Sequence, residues 1–162
     1  EIQRGTIAID KYMGDEPSHK PDAKAKVAYD DEAIYVAFYV KDRYVRAVAD
    51  SHQGKVWEDS CVEFFFTPHA DTTKGYFNVE MNCGGTVLFH YQKFPRQADR
   101  SVLTNEDLTK VTISHSLPKI VDPEIQSPTE WTVSYRIPLE LIRRQFPDEF
   151  VAPSEGAKWR AN

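Results

Sequence analysis

Apolar and polar residues alternate over several short stretches of this chain, and a period of two is typical of β-strands. The alternation predicts strands at residues 24–29, 33–40, 45–49, 60–67, 75–83, 86–91, 110–117 and 130–137. One short helix is predicted at 139–146, because Pro138 suits the first turn of a helix and Pro147 ends it. The polar residues 95–110 predict a long loop. Many short strands with turn residues between them indicate an all-β fold, a two-sheet antiparallel β-sandwich of immunoglobulin-like or jelly-roll-like type with one short C-terminal helix.

The strand at 33–40 is apolar at nearly every position, which predicts a central strand buried on both faces. In the other strands, the parity of the apolar residues separates a core face from an outer face. The residues predicted to form the core are Val36, Phe38, Val62, Phe64, Phe66, Phe77, Val79 and Met81. Trp131, which alternates with apolar neighbours, and Trp159 are interpreted as packing residues.

The length and charge of the chain narrow the classes of function. Its 162 residues predict one domain, 1–162, around one core. The net charge of -5 argues against a nucleic-acid partner, because phosphate neutralisation needs a basic face. No apolar run approaches the roughly 20 residues of a membrane-spanning helix.

The two cysteines, Cys61 and Cys83, are too few for a disulfide-built scaffold or a four-thiolate zinc site. Strand parity places Cys61 on the face of Glu63 and Cys83 on the opposite face with Met81. A disulfide between them would need a bulge near Gly84. Two free thiols are therefore predicted.

A group of polar side chains is predicted on one outer face of the sandwich. Glu63 points away from the Phe64 side of its strand, and Asn78 and Glu80 lie on the polar face of the next strand. If the two strands pair in antiparallel fashion, the three polar side chains cluster. Carboxylates and amides bind the hydroxyl groups of a sugar with fixed geometry. They are equally typical of a solvated outer face, so the pattern leaves both interpretations open.

Trp57 lies in a polar stretch, HQGKVWEDS, just before the strand at 60–67. An indole ring in such a loop either covers the core or binds a ligand. A ring beside carboxylates suits a sugar, because the ring covers the apolar C–H face while the acids hold the hydroxyl groups. From the residues alone, both interpretations of Trp57 remain open.

The glycines at 84–85 are a hairpin turn signal. A two-residue turn there would pair Glu80 with Phe89 and Asn78 with Tyr91, so that both rings could widen a sugar platform. A slip of one residue would send both rings into the core instead.

Two segments together resemble carbohydrate-binding module family 9 and its relatives. The first is AKVAYDDEAIYVAFYVKD (25–42), a strand, an acidic turn and a second strand that ends in lysine and aspartate. The second is VWEDSCVEFFF (56–66), which is similar to the family's Trp-Glu-x-Asp-Ser-Val-Glu pattern with the acid shifted by one position. The segments EWTVSYRIPLELI (130–142) and EGAKWRAN (155–162) fit the family's C-terminal strands, so the resemblance covers nearly the whole chain.

The resemblance implies non-catalytic binding of an oligosaccharide or polysaccharide, in an extracellular or periplasmic protein. It also implies a targeting role, with a hydrolase in the same chain or a partner chain. In the family pattern the sugar stacks on the residue that is Trp57 here and bonds to the residue that is Glu63. The polar face adds Asn78 and Glu80 as secondary partners.

The resemblance implies no cofactor, although the family can hold a structural calcium ion. No dense set of oxygen ligands is visible, and Asp30, Asp31 and Asp42 are interpreted as turn acids. The family also has a second stacking tryptophan beyond the strand that matches WRAN. Because this sequence ends at Asn162, we expect either a chain cropped at its C terminus or a one-sided binding site.

Three other functions are alternatives to sugar binding. A structural accessory domain would keep the fold and bind no ligand. A glycoside hydrolase, which we do not expect, needs two carboxylates about 5–10 Å apart across a cleft; the candidates are Glu58, Asp59, Glu63 and Glu80. A haem-binding sandwich needs two axial ligands; the candidates are Met13, Met81, His52 and His90.

Overall fold

A computed structural model describes residues 5–12, 14–94 and 100–162 of the chain. These residues form twelve strands, which are β1 (Ile7–Ile9), β2 (Asp22–Tyr29), β3 (Ala33–Asp42), β4 (Val45–Ala47), β5 (Cys61–Thr67), β6 (Tyr76–Asn82), β7 (Val87–Gln92), β8 (Ser101–Val102), β9 (Thr112–His115), β10 (Val121–Ile125), β11 (Thr129–Pro138) and β12 (Arg160–Ala161). They also form two α-helices, α1 (Asn105–Thr109) and α2 (Leu139–Arg143), and two 3-10 turns, Val56–Glu58 and Thr72–Lys74.

Ten of the strands make two five-stranded antiparallel sheets. The order in the first sheet is β1-β2-β3-β11-β9, and the order in the second sheet is β12-β5-β6-β7-β8. A separate two-stranded ribbon joins β4 to β10. The prediction of an all-β antiparallel sandwich with little helix is confirmed.

The core lies between the two sheets and is built from one face of each sheet. All eight predicted core residues are buried, and so is Trp131 on β11. Stacked rings run through the core, where Phe66 contacts Phe64 and Phe77 with ring centroids 4.9 and 5.1 Å apart. Trp159 stacks on Phe66 at 5.8 Å, which confirms its role in packing.

Strand β3 is central in the first sheet, but only one of its faces is buried. On the outer face Ala37 is exposed, and Tyr35 and Tyr39 are half-buried. Both tyrosine hydroxyls donate to surface carboxylates, those of Asp30 and Glu130. The prediction that β3 is buried on both faces is therefore wrong, because alanine and tyrosine also suit a solvated face.

The hairpin between β6 and β7 has a loop of three residues, not two. The Asn82 N–H donates to the Thr86 carbonyl at 3.0 Å, and the Gly85 N–H donates to the Asn82 carbonyl at 2.9 Å. Gly85 closes the loop at φ 82°, a left-handed backbone conformation that favours glycine.

The third loop residue shifts the register of the hairpin by one. Glu80 lies opposite Leu88, and Asn78 lies opposite His90. The predicted pairs of Glu80 with Phe89 and of Asn78 with Tyr91 are therefore wrong. Phe89 is fully buried in the core, and Tyr91 turns to the same side. The slip of one residue moves every side chain of β7 to the other face of the sheet.

Cys61 and Cys83 are free thiols on opposite faces of the second sheet, as predicted. Cys83 is part of the core, whereas Cys61 lies on the outer side. Burial and the nearby carboxylates, Glu63 first, raise the pKa of the Cys61 thiol. This thiol is therefore protonated and unreactive at neutral pH.

Three short strands, β1, β8 and β10, carry too little alternation to be predicted, whereas β12 lies in the segment 155–162 that fits the family's C-terminal strands. The predicted loop at 95–110 contains β8 and α1, and residues 95–99 of it lie outside the described ranges. Helix α1 begins with a capping box in which the Thr104 hydroxyl accepts from the Asp107 N–H. Helix α2 ends at Arg143, three residues earlier than predicted. No helix in the described part of the chain is both long and apolar enough to span a membrane.

Candidate functional site

The outer face of the second sheet carries the predicted polar residues. Strand pairing places Glu63 directly opposite Glu80, and Asn78 directly opposite His90. The structure therefore brings Glu63, Asn78 and Glu80 together, as the antiparallel pairing of their strands predicts. The centre of this outer face is formed by Glu63 and Phe65 on β5, Asn78 and Glu80 on β6, and Leu88 and His90 on β7.

His90 is the residue of this face that the sequence interpretation missed. It was considered only as a haem ligand, because the two-residue turn placed Phe89 and Tyr91 on the polar face instead. With the three-residue loop, His90 takes the place between Leu88 and Gln92 on the outer side. The signal was present in the alternation of β7, but only the correct register makes it visible.

Asn78, Glu80 and His90 form a buried polar cluster beneath the outer face. Their exposed fractions are 6%, 7% and 2%. The Asn78 amide nitrogen donates to Glu80 Oε1 at 2.7 Å and lies 3.4 Å from His90 Nε2. The prediction that Asn78 and Glu80 share a polar face is confirmed, but both lie below the surface.

Each residue of this cluster keeps one buried polar atom without a hydrogen-bond partner. The atoms are Asn78 Oδ1, Glu80 Oε2 and His90 Nδ1. Most buried polar atoms in proteins are paired, because leaving one unpaired costs free energy. The cluster therefore has spare capacity for hydrogen bonds at the centre of the outer face.

Two pKa shifts describe the electrostatics of this face. Partial burial, followed by the charge of Glu80, raises the pKa of the exposed Glu63 carboxyl. Burial, followed by the positive charge of Arg100, lowers the pKa of His90 to about 4. At neutral pH an uncharged imidazole therefore lies on the same sheet face as the carboxyl groups of Glu63 and Glu80.

Trp57 lies in the 3-10 turn Val56–Glu58, which packs against β6 and β5. Val56 and Leu88 are buried, yet neither belongs to the core between the sheets. We infer that the turn covers one end of the outer face. Successive side chains of a 3-10 turn diverge by about 120°, so Trp57 points away from Val56. Its ring is 47% exposed.

The acids that follow Trp57 have structural partners. Asp59 accepts hydrogen bonds from the Val48 and Ala49 N–H groups and from the Asn82 amide. These bonds fix the segment before β5 to the end of β4. Glu58 is exposed and pairs with Lys55 at 3.1 Å. Both acids therefore already have hydrogen-bond or ion-pair partners within the chain.

Two of the candidate haem ligands, Met81 and His90, lie on opposite faces of one sheet. Met81 lies in the core, whereas His90 lies on the opposite face of the same sheet. His52 Nδ1 accepts from the Val87 N–H. Met13 lies outside the described residues. A Met81–His90 pair on one iron is therefore excluded by the alternation of the strands.

Two of the turn acids, Asp30 and Asp42, have hydrogen-bond partners within the chain. Asp30 accepts from the Glu32 and Ala33 N–H groups and from the Tyr35 hydroxyl. Asp42 Oδ1 accepts from the Arg43 N–H and lies 2.6 Å from His19 Nε2. Across the described ranges, no three His, Cys, Asp or Glu side chains are placed to hold a metal ion.

The fold and this site define an antiparallel β-sandwich with a buried polar cluster in one sheet and an exposed indole ring on a turn that packs against the same sheet. The sequence profile described as carbohydrate-binding family 9 matches residues 3–162. The chain belongs to this family, and the resemblance found in its sequence is confirmed.

Solved structures with the same fold support this placement. A candidate carbohydrate-binding protein from Bacteroides uniformis ATCC 8492 is 27% identical, with a TM-score of 0.83 over 97% of this chain and 68% of that chain. A family 9 module from Caldicellulosiruptor kristjanssonii in complex with glucose is 15% identical, with a TM-score of 0.55 over 90% of this chain and 59% of that chain. A complex with cellotriose is 16% identical, with a TM-score of 0.53 over 99% and 60%. A search of curated proteins finds no match.

Proposed function

We propose that this chain is a non-catalytic carbohydrate-binding domain whose ligand lies on the outer face of the second sheet. The observation that carries the proposal is the 47% exposed Trp57 on a turn that packs against β5 and β6, the strands that hold Glu63, Asn78 and Glu80. An apolar ring next to hydroxyl-binding groups is the chemistry that a sugar requires.

In the proposed complex, Trp57 stacks on the C–H face of one sugar ring and Glu63 accepts hydrogen bonds from its hydroxyl groups. Glu63 is the exposed acid of the face, so it meets the ligand without any rearrangement. Asn78 and Glu80, which are buried beneath this face, are secondary hydrogen-bond partners of the sugar. Their unpaired oxygens are the acceptors that hydroxyl groups would complete.

The ligand that we propose is an oligosaccharide or a polysaccharide. Family 9 modules from Caldicellulosiruptor kristjanssonii are solved with glucose and with cellotriose, so these two sugars are the first to test. By the same family membership we propose an extracellular or periplasmic location and a role in directing a polysaccharide-degrading protein to its substrate.

The geometry supports binding rather than hydrolysis. A general acid or nucleophile has to reach the glycosidic bond, whereas Glu80 is buried and its Oε1 accepts from Asn78. Glu63 and Glu80 are neighbours on one sheet face rather than opposite walls of a cleft. A reducing-end assay on the same sugars should therefore detect binding without turnover.

The test of the proposal is isothermal titration calorimetry of the chain with glucose and cellotriose, together with a glycan array. We expect measurable binding of at least one oligosaccharide. A chain that binds no glycan on the array would favour the structural accessory domain. Hydrolysis of a bound sugar would favour the glycoside hydrolase.

A further inference from the structure

The hydrogen bonds of the buried cluster determine how His90 carries its proton. The Asn78 amide nitrogen has two hydrogens and no acceptor capacity. One hydrogen points to Glu80 Oε1 at 2.7 Å, and the other faces His90 Nε2 at 3.4 Å. Nε2 is therefore assigned as an acceptor, and the neutral ring carries its proton on Nδ1.

The orientation of the Asn78 amide in this arrangement explains why its oxygen stays unpaired. Because the amide nitrogen is held between Glu80 and His90, the amide oxygen of Asn78 is directed away from both. Asn78 Oδ1 and Glu80 Oε2 then remain as two unpaired acceptors on the same strand, β6. Unpaired buried acceptors lower the stability of the free chain, so packing alone does not account for them.

We propose that His90 is a positioning residue of the sugar site, an inference that rests on the proposed function. Its neutral ring fixes the Asn78 amide so that Asn78 Oδ1 and Glu80 Oε2 accept hydrogen bonds from hydroxyl groups of a saccharide. His90 itself does not touch the sugar. Phe65 lies opposite Asn78 on β5 and is only half-buried, so the hydroxyl groups enter by displacing its ring, while Glu63 stays at the surface.

A charged His90 ring would break this arrangement. With a proton on Nε2, two donors would face each other, and the Asn78 amide would have to rotate. Its oxygen would then face Glu80 Oε1, and the bond at 2.7 Å would be lost. The described charged groups that act on the ring or its partners are Glu80 on β6, Glu63 on β5 and Arg100 before β8.

Two substitutions of His90 separate positioning from packing. In His90→Gln the side-chain oxygen lies near the place of Nε2, so it can still accept from Asn78. In His90→Asn the shorter side chain reaches only the place of Nδ1, so Asn78 loses its acceptor. Binding of cellotriose is measured by calorimetry for both variants and the wild type, with circular dichroism as the control for folding.

We expect the cellotriose affinity of His90→Gln to be within about threefold of the wild-type affinity. We expect the affinity of His90→Asn to be at least about tenfold weaker. A folded His90→Asn with wild-type affinity would overturn the inference, since the spare acceptors would then hold only buried water. Loss of affinity in His90→Gln alone would overturn it as well.

A second measurement needs no variant. Nitrogen-15 chemical shifts of the histidine rings identify the tautomer of His90, which we expect to carry its proton on Nδ1. A proton on Nε2 would overturn the inference even if sugar binds. If the wild type binds cellotriose but the variant affinities or the tautomer contradict these expectations, only the role of His90 is overturned and the proposed function stands. A wild type that binds no glycan overturns the proposed function, and the role of His90 with it.

Discussion

Glu63 on β5 and Glu80 on β6 lie directly opposite each other, one exposed and the other 7% exposed. Two carboxylates in such cross-strand positions repel each other, typically by roughly 0.2–1 kcal/mol. The raised pKa of Glu63 has the same causes, partial burial first and the charge of Glu80 second. The pair therefore destabilises the free sandwich at neutral pH, and a sugar hydroxyl that donates to either acid would relieve it.

The first prediction follows from this pair. Glu63→Gln should stabilise the chain at pH 7 by roughly 0.2–1 kcal/mol and weaken sugar binding. A raised folded-state pKa means that the cost is present above that pKa and disappears as the pH falls through it. The gain in melting temperature should therefore vanish under acidic conditions. Glu58→Gln is the control, since Glu58 pairs with Lys55 at the surface; an equal gain there would point to net charge instead.

The second prediction concerns acid lability. The pKa of His90 is lowered to about 4 in the folded chain from an ordinary value of 6.5. The unfolded chain therefore binds the proton first, and stability falls as the pH drops from about 6.5 towards 4. The full difference corresponds to about 3 kcal/mol. Urea denaturation at several pH values should show this loss in the wild type and a flatter profile in His90→Gln. Identical profiles would show that the ring titrates normally.

The third prediction tests the two faces of β5. Phe64 lies in the core and stacks on Phe66, whereas the next residue, Phe65, is half-buried on the outer side. Phe64→Ala should cost roughly 3–5 kcal/mol, a large part of the about 5–15 kcal/mol typical of a domain. Phe65→Ala should cost clearly less. Chemical denaturation of both variants gives the comparison, and Phe64→Leu serves if Phe64→Ala does not fold. Equal losses would contradict the assignment of the faces.

The fourth prediction tests the hairpin loop that sets the register. Gly85 and Gly14 have nearly the same positive φ, 82° and 81°. A Cβ at Gly85 would lie 2.5 Å from the His115 ring, whereas at Gly14 nothing lies within 4 Å. Gly14→Ala should therefore cost only the backbone strain, roughly 1–2 kcal/mol. Gly85→Ala should cost more than that. Similar melting temperatures for the two variants would show that the His115 ring moves aside at no cost in stability.

The alternation of β5 and β6 was sufficient to predict the core and the cluster of Glu63, Asn78 and Glu80. A period of two fixes which side chains share a face once each strand is placed. The pairing of β6 with β7 did not follow, because two adjacent glycines allow a loop of two or three residues. His90 depends on that single residue of register, and so it could not be predicted as part of the site.

The exposure of Trp57 could not be predicted either. Whether a ring in a loop is buried depends on distant parts of the chain. Here the neighbouring Val56 takes the buried place against the outer face, and Trp57 points away from it. The sequence did contain an overlooked signal for α1, since Thr104 and Asp107 stand three residues apart, as in a capping box.

The last prediction concerns Trp57 itself. Trp57→Ala should weaken sugar binding by roughly 2 kcal/mol or more, as central aromatic anchors do. Its effect on the melting temperature should be small, because the ring is 47% exposed and lies outside the core. Tyr39→Ala is the matched control, since Tyr39 is a half-buried ring on the outer face of the opposite sheet. Its loss should leave the affinity unchanged.

Affinity by calorimetry and melting temperature by differential scanning, measured on the same three proteins, separate the possible roles of Trp57. A ligand platform loses affinity and keeps stability, because the removed contacts exist only in the complex. A core cap loses stability, because its contacts exist in the free chain. If Trp57→Ala lowers the melting temperature strongly and cellotriose affinity is unchanged, Trp57 packs rather than binds. If Tyr39→Ala alone loses affinity, the sugar lies on the outer face of the first sheet.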